Sequence, residues 1–81
     1  MKVQVLYFAQ ARERAGRSND TLELPAGSRI DDALDALVIR HAELAALRPH
    51  LAIAVNGALA RGAEPLHDGA ELALLPPVSG G

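Results

Sequence analysis

The chain contains no cysteine and no tryptophan, and its only aromatic side chains are Tyr7 and Phe8, adjacent in sequence. Without cysteine there is no disulfide, no thiolate zinc site and no cysteine nucleophile, a usage that fits a reducing, cytoplasmic setting. Any sulfur chemistry would need imported sulfur. Charge of one sign never accumulates: 8 Lys and Arg are scattered among 10 Asp and Glu, for a formal charge of -2. That leaves no stripe able to track a phosphate backbone, which argues against nucleic-acid binding. No apolar run approaches the roughly 20 residues needed to span a bilayer. The opening Met1 to Ala11 has the look of a short signal peptide, but Gln4 interrupts its apolar run, and a strand is the better reading.

What is present is 49% apolar residues in 81, enough for one small domain and too short for two. A chain of this size buries only about 60–65% of its unfolded surface. Its core must be built from Leu, Val, Ile and Ala.

Lys2 to Ala9 is rich in β-branched and aromatic residues, with Val3, Val5 and Tyr7 on one parity, which predicts a strand with one face in the core. Gln10 to Ala15 has strong helix formers and is stopped by Gly16. After a polar loop, Arg17 to Asp20, the alternation Thr21-Leu22-Glu23-Leu24 ends at Pro25 and predicts a second strand, antiparallel to the first. Ser28 with Asp31 resembles a capping box, and Ile30, Leu34, Leu37, Val38 and His41 recur at helical spacing. Leu44 and Leu47 extend that row weakly before Pro49. Leu51 to Val55 and Ala58 to Ala60 flank Asn56-Gly57, a hairpin turn, and Glu71 to Leu75 reads as a last strand. Strand, strand, helix, then three strands is the α+β order of a β-grasp, or ubiquitin-like, domain over 1–75, with an extended tail over 76–81.

The tail carries the chemistry. Pro76-Pro77-Val78-Ser79-Gly80-Gly81 ends in a glycine pair that arises by chance in about 0.5% of chains at a Gly usage of roughly 7%. From Leu72 onward no side chain is charged, so the terminal carboxylate is the only formal charge at this end. The prolines favour an extended rod, and six residues at about 3.1 Å each reach roughly 18 Å. Gly80 and Gly81 lack Cβ atoms and suit a narrow channel. Such a tail can deliver a carboxylate into a buried site, where transfer of AMP would activate it and a sulfur nucleophile would displace the AMP.

Val5-Leu6-Tyr7-Phe8-Ala9-Gln10-Ala11-Arg12-Glu13, Ala54-Val55-Asn56-Gly57 and Pro65-Leu66-His67-Asp68-Gly69-Ala70-Glu71, running into Leu74-Leu75-Pro76-Pro77-Val78-Ser79-Gly80-Gly81, resemble the small, sulfur-carrying subunits of molybdopterin synthase. The Pro-Pro-Val-Ser-Gly-Gly ending is the most specific part. The resemblance implies that an E1-like adenylating enzyme, using ATP and magnesium, forms a Gly81 adenylate. A desulfurase or rhodanese-type donor then supplies sulfur for the thiocarboxylate. The charged carrier would dock on the large synthase subunit and pass its sulfur to cyclic pyranopterin monophosphate in a heterotetramer. The general acid and base groups would belong to the large subunit, and this chain would bind no cofactor or metal of its own.

Strand parity adds a partner surface. If Val3, Val5, Ile53, Val55, Leu72 and Leu74 face the helix, then Leu6, Phe8 and Leu75 face away from it with Leu59 nearby, an uncovered apolar patch of the kind that marks interfaces. The resemblance places Phe8, Leu59 and Leu75 at the large-subunit contact, adds Arg12 toward a partner, and runs the tail residues Pro76, Pro77, Val78 and Ser79 into the partner's channel. His41, His50 and His67 lack metal-ligand spacing and suit surface or capping roles. Asp31, Asp32 and Asp35 favour the positive end of the helix dipole. Carriers for thiamine, cysteine or tRNA thiolation, a ubiquitin-like modifier, and an interaction module with an incidental glycine end are the alternatives.

Overall fold

The computed structural model describes residues 1–77. Its elements are β1 (Lys2–Tyr7), α1 (Ala9–Ala15), β2 (Asn19–Glu23), α2 (Ile30–Arg40), two 3₁₀ turns (Ala42–Leu44 and Arg48–His50), β3 (Ala52–Val55), β4 (Ala58–Ala60) and β5 (Glu71–Leu75). The strands form one sheet in the order β2-β1-β5-β3-β4. Every pairing is antiparallel except β1 with β5. With α2 across one face, this is the β-grasp arrangement that the element order predicts.

The period of two in β1 and β5 is the cause of the layer structure. Val3, Val5 and Tyr7 from β1 and Leu72 and Leu74 from β5 are buried, and they meet Ile30, Ala33, Leu34 and Leu37 from α2. Each such aliphatic side chain contributes roughly 1.5–3 kcal/mol on leaving water. Val55, expected on the same face, is only half-buried because it lies near the hairpin end of β3. Asn56 and Gly57 both have positive φ (51° and 84°), the type I′ geometry whose twist matches two flanking strands.

Three local expectations are corrected. The N-cap of α2 is Arg29 rather than Ser28: the Arg29 amide donates to Asp32 Oδ2 at 2.8 Å, while Ser28 turns back to donate to the Pro25 carbonyl at 2.7 Å. The helix stops at Arg40; Leu44 reaches the core from the first 3₁₀ turn and Leu47 from the chain between the two, with Pro49 inside the second. Finally, Asn19 and Asp20 belong to β2 rather than to the preceding loop, while Leu24 lies past its end.

The reason for that last difference is a polar cluster at the C-terminal end of α2. Asp20, only 6% exposed, accepts from Tyr7 Oη (3.0 Å), Arg40 Nη1 (2.9 Å) and His41 Nε2 (2.8 Å), with Arg17 Nη1 at 3.6 Å. His41 both caps α2, through its amide to Leu37 (2.7 Å), and stands edge-on to the Tyr7 ring at 5.8 Å. Burial alone would raise the Asp20 carboxyl, but hydrogen bonds from His41 and Tyr7 and the charges of Arg17 and Arg40 hold it below its usual value of 3.8. Burial, reinforced by the bond to Asp20, pushes the Tyr7 phenol above its ordinary range.

These directions fix the sign of the pH dependence. The depressed Asp20 carboxyl contributes stability that is complete above the unfolded value and is lost as pH falls below it; the raised Tyr7 phenol contributes stability that is lost as pH climbs past about 10. Replacing Asp20 by Ala should lower stability by about 2 kcal/mol, which in a domain of this size lowers Tm by roughly 8–16 °C. In Tyr7→Phe the alkaline decline should shrink. Thermal unfolding across pH checks both; an unchanged Tm in Asp20→Ala, or an unaltered alkaline limb in Tyr7→Phe, would contradict the account.

Candidate functional site

The face of the sheet turned away from α2 carries the candidate site. Cross-strand register lines up Leu6, Ala73, Ala54 and Leu59 in one row and Leu75 with Ala52 in the next. Phe8 follows the end of β1 beside Leu75, its amide donating to the Leu74 carbonyl at 3.3 Å. Leu59 is 78% exposed and Phe8 45% exposed, whereas Leu6, Ala73 and Leu75 are half-buried. At the other end of the face the surface turns polar, where Thr21 donates to Gln4 Oε1 at 3.3 Å and Glu71 sits beside Gln4. The apolar area therefore lies toward the end of the sheet at which β1 and β5 both finish.

That end is also where the tail begins. Pro76 is half-buried and Pro77 exposed, directly after β5. Phe8 is the N-cap of α1, and Ala9 follows at φ 49°, a left-handed conformation that costs an L-residue roughly 1–2 kcal/mol. This sharp turn sends α1 away at once and leaves the Phe8 ring on the sheet margin. Arg12 sits one helical turn on, its amide donating to the Phe8 carbonyl at 3.4 Å, and its side chain is exposed with no ion pair among the described residues. The pairings thus bring Phe8, Arg12, Leu75, Pro76 and Pro77 together at one margin of the sheet. Leu59 lies at the other end of the apolar row, on the outermost strand. Val78, Ser79, Gly80 and Gly81 lie outside the described residues.

Reasoning from parity found Leu6, Phe8, Leu59 and Leu75 but not the alanines that join them. Ala52, Ala54 and Ala73 make the patch continuous; the Asn56-Gly57 turn signals only Ala54 opposite Leu59, and the other two depend on pairings with β5 between residues distant in sequence. His50 and His67 are exposed, and among the described residues no three His, Asp or Glu side chains converge as metal ligands. No helix of the described residues is long and apolar enough to cross a membrane.

Residues 5–81 match the ThiS family. The molybdopterin synthase sulfur carrier subunit of Chlamydomonas reinhardtii is 39% identical over 83 residues, covering 100% of both chains. Small archaeal modifier protein 1 of Haloferax volcanii is 38% identical over 82 residues, covering 91% of this chain and 94% of that one. Among solved structures, SAMP1 from Haloferax volcanii superposes with a TM-score of 0.92 at 34% identity over 100% of both chains. The complex of subunits 1 and 2 of the molybdopterin-converting factor from Helicobacter pylori contains a similar chain, with a TM-score of 0.71 at 29% identity over 100% of both chains. A match spanning the sheet, the apolar margin and the tail makes this chain a member of the ThiS family.

Proposed function

We propose that this chain is the sulfur carrier subunit of a molybdopterin synthase, with the Gly81 carboxylate as its reactive group. The observation that carries the reading is the shared margin of the sheet: Phe8, Leu75 and the start of the tail emerge together, so a partner that covers the apolar face receives the tail at a fixed place. Burying Leu59, which is 78% exposed, offers roughly 1.5–3 kcal/mol, and Phe8, already more than half covered, offers about half as much. The relatives named as molybdopterin synthase sulfur carriers, and the two-subunit complex in which a similar chain is found, support this reading.

The chemistry follows from the weak electrophilicity of a carboxylate. On an E1-like enzyme a Gly81 oxygen attacks the α-phosphate of ATP, expelling pyrophosphate with magnesium balancing charge. The resulting mixed anhydride has AMP as a good leaving group, and the terminal sulfur of a persulfide on a desulfurase or rhodanese-type donor displaces it. A second thiol then attacks the donor sulfur of the acyl disulfide, forming a disulfide and releasing the Gly81 thiocarboxylate. The thiocarboxylate is a soft nucleophile that attacks a side-chain carbon of cyclic pyranopterin monophosphate in the large subunit and displaces an oxygen substituent. Water then hydrolyses the thioester, leaving the sulfur on the pterin and returning Gly81 to a carboxylate. Two charged carriers in succession supply the two dithiolene sulfurs.

A second reading is favoured by the similarity to a small archaeal modifier protein. The same adenylate would then react with a target lysine amine to form an isopeptide. Intact mass spectrometry after incubation with the activating enzyme, ATP and sulfide separates the two. Exchange of one terminal oxygen for sulfur is the expected result, whereas lysine adducts without sulfur incorporation would favour the modifier. On the docking face, Phe8→Asp should weaken binding to the large synthase subunit by about tenfold or more, a change of about 1.4 kcal/mol, with Tm nearly unchanged. Calorimetric titration reads this, and an unaltered affinity would remove Phe8 from the contact.

A further inference from the structure

The sheet has two open edges, β2 and β4, and the chain treats them differently. In an antiparallel ladder alternate residues turn their N–H and C=O toward the neighbour or away from it. The Tyr7 amide bonded to Ser18 and the Leu24 amide bonded to Met1 set the phase of β2, so that Asn19, Thr21 and Glu23 face outward. Two of those outward carbonyls are already taken: Arg17 Nε donates to Asn19 at 2.8 Å and Arg40 Nη1 to Thr21 at 3.1 Å. Guanidinium groups thus block that edge against another strand.

On β4 the two-residue Asn56-Gly57 turn makes Val55 and Ala58 the bonded pair, and Leu59 opposite Ala54 turns both its N–H and its C=O outward. Among the described residues nothing bonds either group, whereas at the next outward position Glu64 accepts from the Arg61 amide and donates to the Arg61 carbonyl, so the open edge is Leu59 alone. Beside this edge a cleft of about 1030 Å³ has Leu34, Leu51, Ile53 and Ala60 in its lining and Arg61 among its charged residues. Arg61 is exposed and has no ion pair among the described residues. An unguarded strand edge next to exposed apolar surface is a template for pairing.

We infer that β4 accepts an extended segment of the partner protein as a sixth strand. The segment bonds to the N–H and C=O of Leu59, sets an apolar side chain in the adjoining cleft and brings a carboxylate to Arg61. This rests on the functional reading above, because the strand would lie at the margin of the same partner that covers the open face, with Leu59 belonging to both contacts. A second copy of this chain is the weaker occupant. Either occupant gains only the two hydrogen bonds of Leu59, about 0.5–1.5 kcal/mol each; these do not sustain a dimer of two β4 strands alone, whereas in the partner they add to the larger contact over the open face.

The test is residue-resolved amide exchange of the full chain, free and with the large synthase subunit, together with binding of Leu59→Ala and Leu59→Pro. Both substitutions remove the leucine side chain, and only proline also removes the outward N–H. The Leu59 amide should exchange at least about tenfold more slowly in the complex, and Leu59→Pro should bind about tenfold more weakly than Leu59→Ala. Should the proline variant misfold, exchange in the unaltered chain decides alone. Binding with Leu59 unprotected, or equal affinities of two folded variants, would overturn the edge contact while leaving the functional reading intact. Failure of the unaltered chain to bind would overturn both. Leu59 protection that grows with concentration in the free chain would replace the partner strand by a second copy.

Discussion

The parallel pairing of β1 with β5 is the contact on which the rest of this molecule depends. It joins residues near the two ends of the chain, from Gln4 beside Glu71 to Tyr7 beside Leu74, and it occupies the centre of the sheet. Its inward residues Val3, Val5, Leu72 and Leu74 are at most 1% exposed, so the pairing is held by the core rather than by its ladder alone. A parallel pair needs a long connection, and here that connection is most of the protein. Because both strands finish at the same margin, Phe8 and the start of the tail share one place. The core thereby orients the apolar face and the start of the tail relative to each other.

Polar and apolar groups divide the structure between them. The polar contacts that restrain the fold gather on the side of α2 and β2, where Asp20 is surrounded by Tyr7, Arg17, Arg40 and His41. The opposite face is apolar apart from the polar end of the sheet, while charged Arg61 and Glu64 stand beside the β4 edge. Alanine at 52, 54 and 73 keeps that face shallow, which suits a broad contact better than a pocket. The two edges repeat the division: Arg17 and Arg40 close one, and the other stays open beside exposed Leu59.

Most of the architecture was legible because it rests on periodicity. The alternation in Lys2 to Tyr7, the spacing from Ile30 to Leu37 and the Asn56-Gly57 turn each specify one local structure, and element order then restricts the fold. What was not legible depended on partners distant in sequence. Asp20 reads as loop on composition, yet it shares parity with Leu22 and is held in the strand by Tyr7, Arg40 and His41, none of which is its neighbour. The cap of α2 moved by one residue because Ser28 found the Pro25 carbonyl first. The apolar margin was read from Phe8 and Leu75, but its continuity through three alanines required the registers of three strands. The unguarded edge is a property of the backbone, and no side chain announces it.

On the proposed function, the body of the protein serves to present a free carboxylate at Gly81. Adding a single residue after Gly81, and measuring molybdopterin formation in cells that rely on this chain, tests that claim most directly. The extended chain should fold and dock yet support no cofactor synthesis. Cofactor levels equal to those of the unextended chain would contradict the account.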